Sequence, residues 1–414
     1  MSRTAYVNAR LMDPSCGRDE TGSLLVVDGY IDAIGADLPI PPETEIIDCK
    51  GQILAPGLVD MHSFQPDFNA AAAGGITRLV LIPDQSVPLD DAAKIAQVAH
   101  SGSNGVMVHP LGAATKGLQG SSMAELGLMS EAGAVGFGDG RRAIADSQMM
   151  RRLLEYARLF NRPIIQHAQD PSLAKNGVMT EGETATRLGL AGIPAVAEVM
   201  MIERDARLVE LTGGRLHHAQ ISTAASLDAI RRNKARELPM SCGVSPQHFI
   251  LNETAVADYR TFAKLSPPLR SEADRAAIVE AIREGLIDVI CSAHDPQDQE
   301  NKRLPFAEAA HGAVGYQTLL ALSLSLYHGY DVDLMQILAM LSTNPARILG
   351  LDAGTLAPGA RADFILFDLN RPWRINPEDF LSETQNTPFE GQPVQGTLSR
   401  TVIAGETVFM GGKP

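Results

Sequence analysis

Ala55-Pro56-Gly57-Leu58-Val59-Asp60-Met61-His62-Ser63-Phe64 is the stretch whose reading decides the fold. It is a short, nearly continuous apolar run with a histidine, His62, near its end, which is how a strand buried on both faces reads. Working outward, the same grammar returns along the chain. Eight such runs stand at 54–63, 76–82, 105–109, 134–138, 163–168, 215–221, 239–244 and 288–293. Longer amphipathic stretches follow them, among them Asp146–Phe160, Ile193–Glu210 and Glu272–Glu284. Strand–helix alternation repeated eight times over about 240 residues is what an α/β fold of the TIM (β/α)8 barrel type requires. Chemistry in such a barrel sits at the C-terminal ends of the strands. The last residues of each run therefore carry the functional reading.

The two chain ends are written differently. Residues 4–57 alternate short β-branched runs with Gly and Asp turns, as in Leu24-Leu25-Val26-Val27-Asp28-Gly29, which are hairpin signals. Ala362–Asp368 and Thr401–Gly405 repeat that pattern. Exposed strand edges need partners, so the ends are expected to pair into one small β-sandwich. The resulting division is 1–56 for the first part of the sandwich, 57–349 for the barrel and 350–414 for the second part of the sandwich.

A hydrophobic content of 45% and a charged content of 20% over 414 residues describe a globular chain with ample core-forming material. The formal charge of −14 argues against nucleic acid and acidic membranes as partners, since both select basic surface. No apolar run approaches the roughly 20 residues that span a bilayer, and no secretory signal opens the chain. Cys16, Cys49, Cys242 and Cys291 lack CxxC spacing and are expected in cores, not in disulfides or zinc sites. A cytoplasmic location follows as the expectation.

Several segments, in order, resemble dihydroorotase, the cyclic amidohydrolase of pyrimidine biosynthesis. They are the opening stretch through Phe64, Ala70–Thr77, His109–Gly117, Pro267-Pro268-Leu269-Arg270 and Thr343-Asn344-Pro345-Ala346-Arg347. The resemblance implies a hydrolytic metal site, and its ligands can be followed residue by residue. His62 matches the first member of a His-x-His pair, and Phe64 stands in place of the second. The Leu-Arg-Glu-Pro segment whose Arg holds the substrate carboxylate is missing between Phe64 and the alanine run. Asp84 stands where a substrate-binding Asn is usual, a change expected to repel an anion. Asp139 survives at the fourth strand, followed by Gly140 in place of a second acid. His167 survives at the fifth. At the sixth strand Gln220 replaces a ligand His, while His217 and His218 flank it. Ser245-Pro246-Gln247-His248 stands for Thr-Pro-His-His, and Ser266 for a substrate-binding Asn. At the eighth strand Ala293 takes the place of the catalytic Asp, ahead of His294 and Asp295.

An amide hydrolase of this type needs a metal to acidify water and a carboxylate to move its proton. Phe64, Gln220 and Ala293 supply neither, so no metal and no catalytic residue are expected. His62, Asp139 and His167 leave one weakly held zinc as the alternative. Each also has a plain reading: the histidines as hydrogen-bonded residues at the strand ends, and Asp139 as a turn carboxylate. Asp295, Asp298 and Glu300 read as a solvated acidic loop. The dihydroorotase family includes a non-catalytic branch whose members assemble with aspartate carbamoyltransferase, and the ligand losses resemble that branch. The expectation is therefore a structural, catalytically inactive subunit in a hetero-oligomer with the carbamoyltransferase catalytic chain. A weak or one-metal amidohydrolase acting on dihydroorotate or another cyclic amide is the alternative.

Overall fold

The computed structural model describes residues 2–411. Each of the eight apolar runs carries a parallel strand, the third extending one residue past its run. They are β1 (Leu58–Ser63), β2 (Ile76–Leu81), β3 (Met107–Pro110), β4 (Phe137–Gly138), β5 (Ile164–Gln166), β6 (Leu216–His218), β7 (Met240–Val244) and β8 (Val289–Ile290). β1 to β3 form one parallel sheet. Gly112–Ala113, just beyond β3, opens a second that runs on through β4, β5, β6, β7 and β8. A parallel bridge between Ser63 and His294 brings the end of β1 against the segment after β8.

The strands are short and buried, and helices follow the amphipathic stretches. Ser147–Ala157 is capped by Asp146, whose carboxylate accepts from Met149 N at 2.6 Å, and it buries Met149, Met150, Leu153, Leu154 and Ala157. That spacing is one face of a 3.6-residue period. Val196–Thr212 and Glu272–Arg283 follow the same pattern close to their expected bounds.

One buried carboxylate ties the two sheets together. Asp60 on β1 is fully buried and accepts from Ser292 N at 2.8 Å and from Ser292 Oγ at 2.5 Å. Burial pushes its pKa up to about 6, against the pull of those hydrogen bonds.

Both chain ends enter one eight-stranded sheet, as expected. The reason lies in Ile53–Pro56. It pairs in parallel with Arg3–Asp13 on one side and antiparallel with Phe364–Arg374 on the other, so the ladder continues without a break. Tyr6 and Phe364 meet edge to face at 4.8 Å in the apolar layer beneath it. All four cysteines are free; three are buried, while Cys16 is exposed on a turn, contrary to expectation. Among the described residues no helix is long and apolar enough to cross a membrane.

Candidate functional site

The C-terminal ends of the parallel strands gather most of the residues singled out from the sequence, but not as a metal centre. His62 is buried with its ring edge against Phe64, centroids 4.8 Å apart. Burial drives its pKa down to about 3, so the ring is neutral, and its Nδ1 has no partner. His167 turns Nε2 toward Ser266 Oγ at 3.2 Å. Asp139 is also buried, but its carboxylate is already used: it accepts from Thr115 N at 3.0 Å and Thr115 Oγ1 at 2.5 Å. Burial, opposed by these bonds, raises its pKa.

Zinc usually takes at least three good nitrogen, oxygen or sulfur ligands. Among the described residues no three His, Cys, Asp or Glu side chains are placed to hold a metal ion. Phe64 presents an apolar ring and Ala293 a methyl group where donors would be needed. The side chains present do not fit the metal, even as the single zinc that was the alternative at His62, Asp139 and His167.

A guanidinium stands among them instead. Arg141, on the loop after β4, places its Cζ 3.9 Å from the centroid of the Phe64 ring. Its Nη1 donates to Asp84 Oδ2 at 2.9 Å and its Nη2 pairs with Asp295 Oδ1 at 2.8 Å. Asp84 also accepts from Arg141 N at 3.1 Å. Gly140 makes this approach possible: with φ of +65°, a Cβ there would lie 2.2 Å from Asp84 Oδ1. The sequence reading of Asp84 as a free repelling charge is therefore corrected, because its charge is matched by Arg141. Asp295 is corrected likewise. It is 5% exposed and ion-paired, while Asp298 and Glu300 do face solvent. Neither Arg141 nor its pairing was found from the sequence. The usable signal was an arginine directly after one strand end, with acids after two others.

His248 has both ring nitrogens engaged. Nε2 lies 3.0 Å from Pro267 O, which can only accept, so that nitrogen carries the proton. Burial holds the ring neutral, with a pKa of about 4, so Nδ1 accepts from Ser245 Oγ at 2.9 Å. Of the other histidines, His294 stacks on Tyr316 at 3.7 Å, and His217 Nδ1 meets Ser241 Oγ at 2.8 Å. A cavity of about 20 Å³ remains between Phe64, Arg141, Gln220, Gln247, His248 and Ser266. That is room for one water.

The model of the family described as "Amidohydrolase family" matches residues 74–408. A curated relative from Pelobacter propionicus named dihydroorotase is 40% identical over 416 aligned positions, covering 97% of this chain and 98% of that one. Another so named, from Anaplasma phagocytophilum, is 37% identical, covering 98% and 95%. Among solved structures, the L-hydantoinase (dihydropyrimidinase) of Arthrobacter aurescens superposes with a TM-score of 0.88 at 24% identity, covering all of this chain and 97% of that one. The dihydropyrimidinase of Brevibacillus agri gives 0.84 at 21%, covering 99% and 95%. These likenesses correct one expectation. A chain without enzymatic activity was read from the ligand losses, yet full-length relatives at 37–40% identity bear the name of an enzyme.

Proposed function

Because the chain belongs to the amidohydrolase family, we propose that it is a cyclic-amide hydrolase of the dihydroorotase type, slow and independent of metal. The same reading takes the parallel strands as one closed (β/α)8 barrel, with the end sheet folded over into a sandwich. The observation that carries the proposal is the polar cavity at the strand ends, where Gln220, Gln247, Ser245, Ser266 and His248 converge. Two hydroxyl–imidazole contacts, Ser245 with His248 in the cavity wall and Ser266 with His167 behind it, can hold and pass a proton, and His311 lines the cavity as well. Both imidazoles have pKa values of about 4, lowered first by burial. They are weak bases at neutral pH, which favours low turnover.

Ring opening of dihydroorotate, dihydrouracil and hydantoin, followed with and without chelator, tests this. The expected result is slow turnover of at least one ring, unchanged by chelator and by added zinc. No ring opening above the uncatalysed rate would overturn the proposal. A rate abolished by chelator would show that the metal fit has been misjudged.

The proposal extends to a hetero-oligomer with the aspartate carbamoyltransferase catalytic chain, located in the cytoplasm. Supporting a partner, Val196, Met200 and Leu211 are exposed along one face of the helix Val196–Thr212, and Leu159 is exposed beside the helix packed against it. Scattered exposed leucines are ordinary, but apolar residues grouped along one helix face suit an interface. Light scattering on the two proteins, alone and mixed at micromolar concentration, should show a co-eluting complex. In the double variant Met200→Glu/Leu211→Glu the complex should dissociate. Two independent peaks for the wild-type pair would remove the partner.

A further inference from the structure

Two polar atoms at this site are buried and without a partner: Nε2 of Gln220 and Oε1 of Gln247. The two side chains line the same cavity and are 3% and 2% exposed. One atom is a donor and the other an acceptor. The Gln247 amide is oriented by its own Nε2, which donates to Ser292 O at 3.3 Å; turning it over would set two oxygens face to face. Beside Gln220 stands the Cys291 thiol, a weak acceptor that donates its own proton to Val244 O at 3.6 Å. Buried donors and acceptors left unmade are costly and uncommon, so something should complete this pair.

The walls narrow what that is. Phe64 and Leu265 are apolar, and the two charged lining groups, Arg141 and Asp295, neutralise each other at 2.8 Å. Burial keeps His248 and His311, the two lining imidazoles, uncharged. No cation is left free among these side chains to hold a carboxylate. A planar, uncharged group with an N–H beside a C=O would answer both orphaned atoms at once.

We propose that Gln220 and Gln247 read the amide edge of a neutral ring, with Gln220 Nε2 donating to the ring carbonyl and Gln247 Oε1 accepting from the ring N–H. This rests on the cyclic-amide reading of the site and assigns its specificity to two residues that replace the family's histidines. At rest the cavity of about 20 Å³ admits one water. A ring needs more room than one water, and on this proposal it comes from the rim, where the Arg141 side chain is 35% exposed and would shift with its pairing to Asp295 kept, leaving no lone cation.

The test is calorimetric titration of the full-length protein with dihydrouracil, 1,3-dimethyl-dihydrouracil and dihydroorotate. Dihydrouracil should bind best. The dimethyl compound, which offers no N–H, should bind at least about 10-fold more weakly to the unaltered protein. Gln247→Leu and Gln220→Leu should each weaken dihydrouracil by about 10-fold while leaving the melting temperature within a few degrees. Equal affinities for the methylated and unmethylated rings, or for wild type and folded variants, would overturn the inference and leave the cyclic-amide reading standing. Tighter binding of dihydroorotate than of dihydrouracil would overturn the neutral-ring assignment. Binding of none of the three would instead overturn the cyclic-amide reading itself, and this inference with it.

Discussion

Arg141→Met is expected to destabilise the protein by about 2–4 kcal/mol, because it leaves two buried carboxylates without their cation. Asp84 and Asp295 have side chains only 12% and 7% exposed, and each is held by one end of the same guanidinium. Breaking a buried pair from one side costs more than the pair is worth, since the remaining charge stays desolvated. Arg141 itself is 35% exposed, so the cost falls below that of breaking a fully buried pair. Asp84 and Asp295 already have pKa values raised by burial, with Arg141 as the main opposing influence. In the variant both should rise further and take up protons. Adding Asp295→Asn to Arg141→Met should recover part of the loss, since it removes one stranded charge from the same network. Urea unfolding of the three proteins measures this. A change below about 0.5 kcal/mol in Arg141→Met would mean that solvent, not the arginine, carries those carboxylates.

Mild acid should destabilise the protein steeply. His109, His248 and His311 have pKa values lowered to about 4, and His217, His218 and His294 to about 3, in each case chiefly by burial. An unfolded histidine titrates near 6.5. Between those values the unfolded chain binds more protons than the folded one, so stability falls as pH falls from about 6.5. Each such histidine gives up about 1.4 kcal/mol by pH 5.5. Asp60 and Asp205, raised to about 6 mainly by burial, act in the opposite sense, as do Asp84, Asp139 and Asp295, also raised by burial. They are outnumbered, and their gain is smaller over this window. The melting temperature should drop by roughly 5 °C or more between pH 7.5 and 5.5. A flat profile across that interval would show that these rings titrate normally in the folded state.

Much of the fold was legible because it is local. The apolar runs at 76–82 and 239–244 announce strands by composition, and the stretch 146–160 announces a helix by its 3.6-residue period. Against the family resemblance, the replacements Phe64, Gln220 and Ala293 were legible for the same reason, since a phenyl ring, a neutral amide and a methyl group lack the imidazole or carboxylate in any fold. Whether the chain turns substrate over was not legible from those losses, and the full-length kinship with dihydroorotase-named proteins corrected it.

Residue identity and spacing alone determined the order of strands and helices and the joining of both chain ends in one sheet, and the resemblance to dihydroorotase added that Phe64, Gln220 and Ala293 stand where that family's ligands would. Tertiary structure alone decided that Asp84 and Asp295 share one guanidinium, that Asp139 is spent on Thr115, and that Gln220 and Gln247 face one cavity with a donor and an acceptor unmade. Periodicity reports which face of a strand or helix is buried, and it acts over a few residues. Charge pairing and hydrogen-bond satisfaction depend on distance in space between loops far apart in the chain, and no local pattern records that distance.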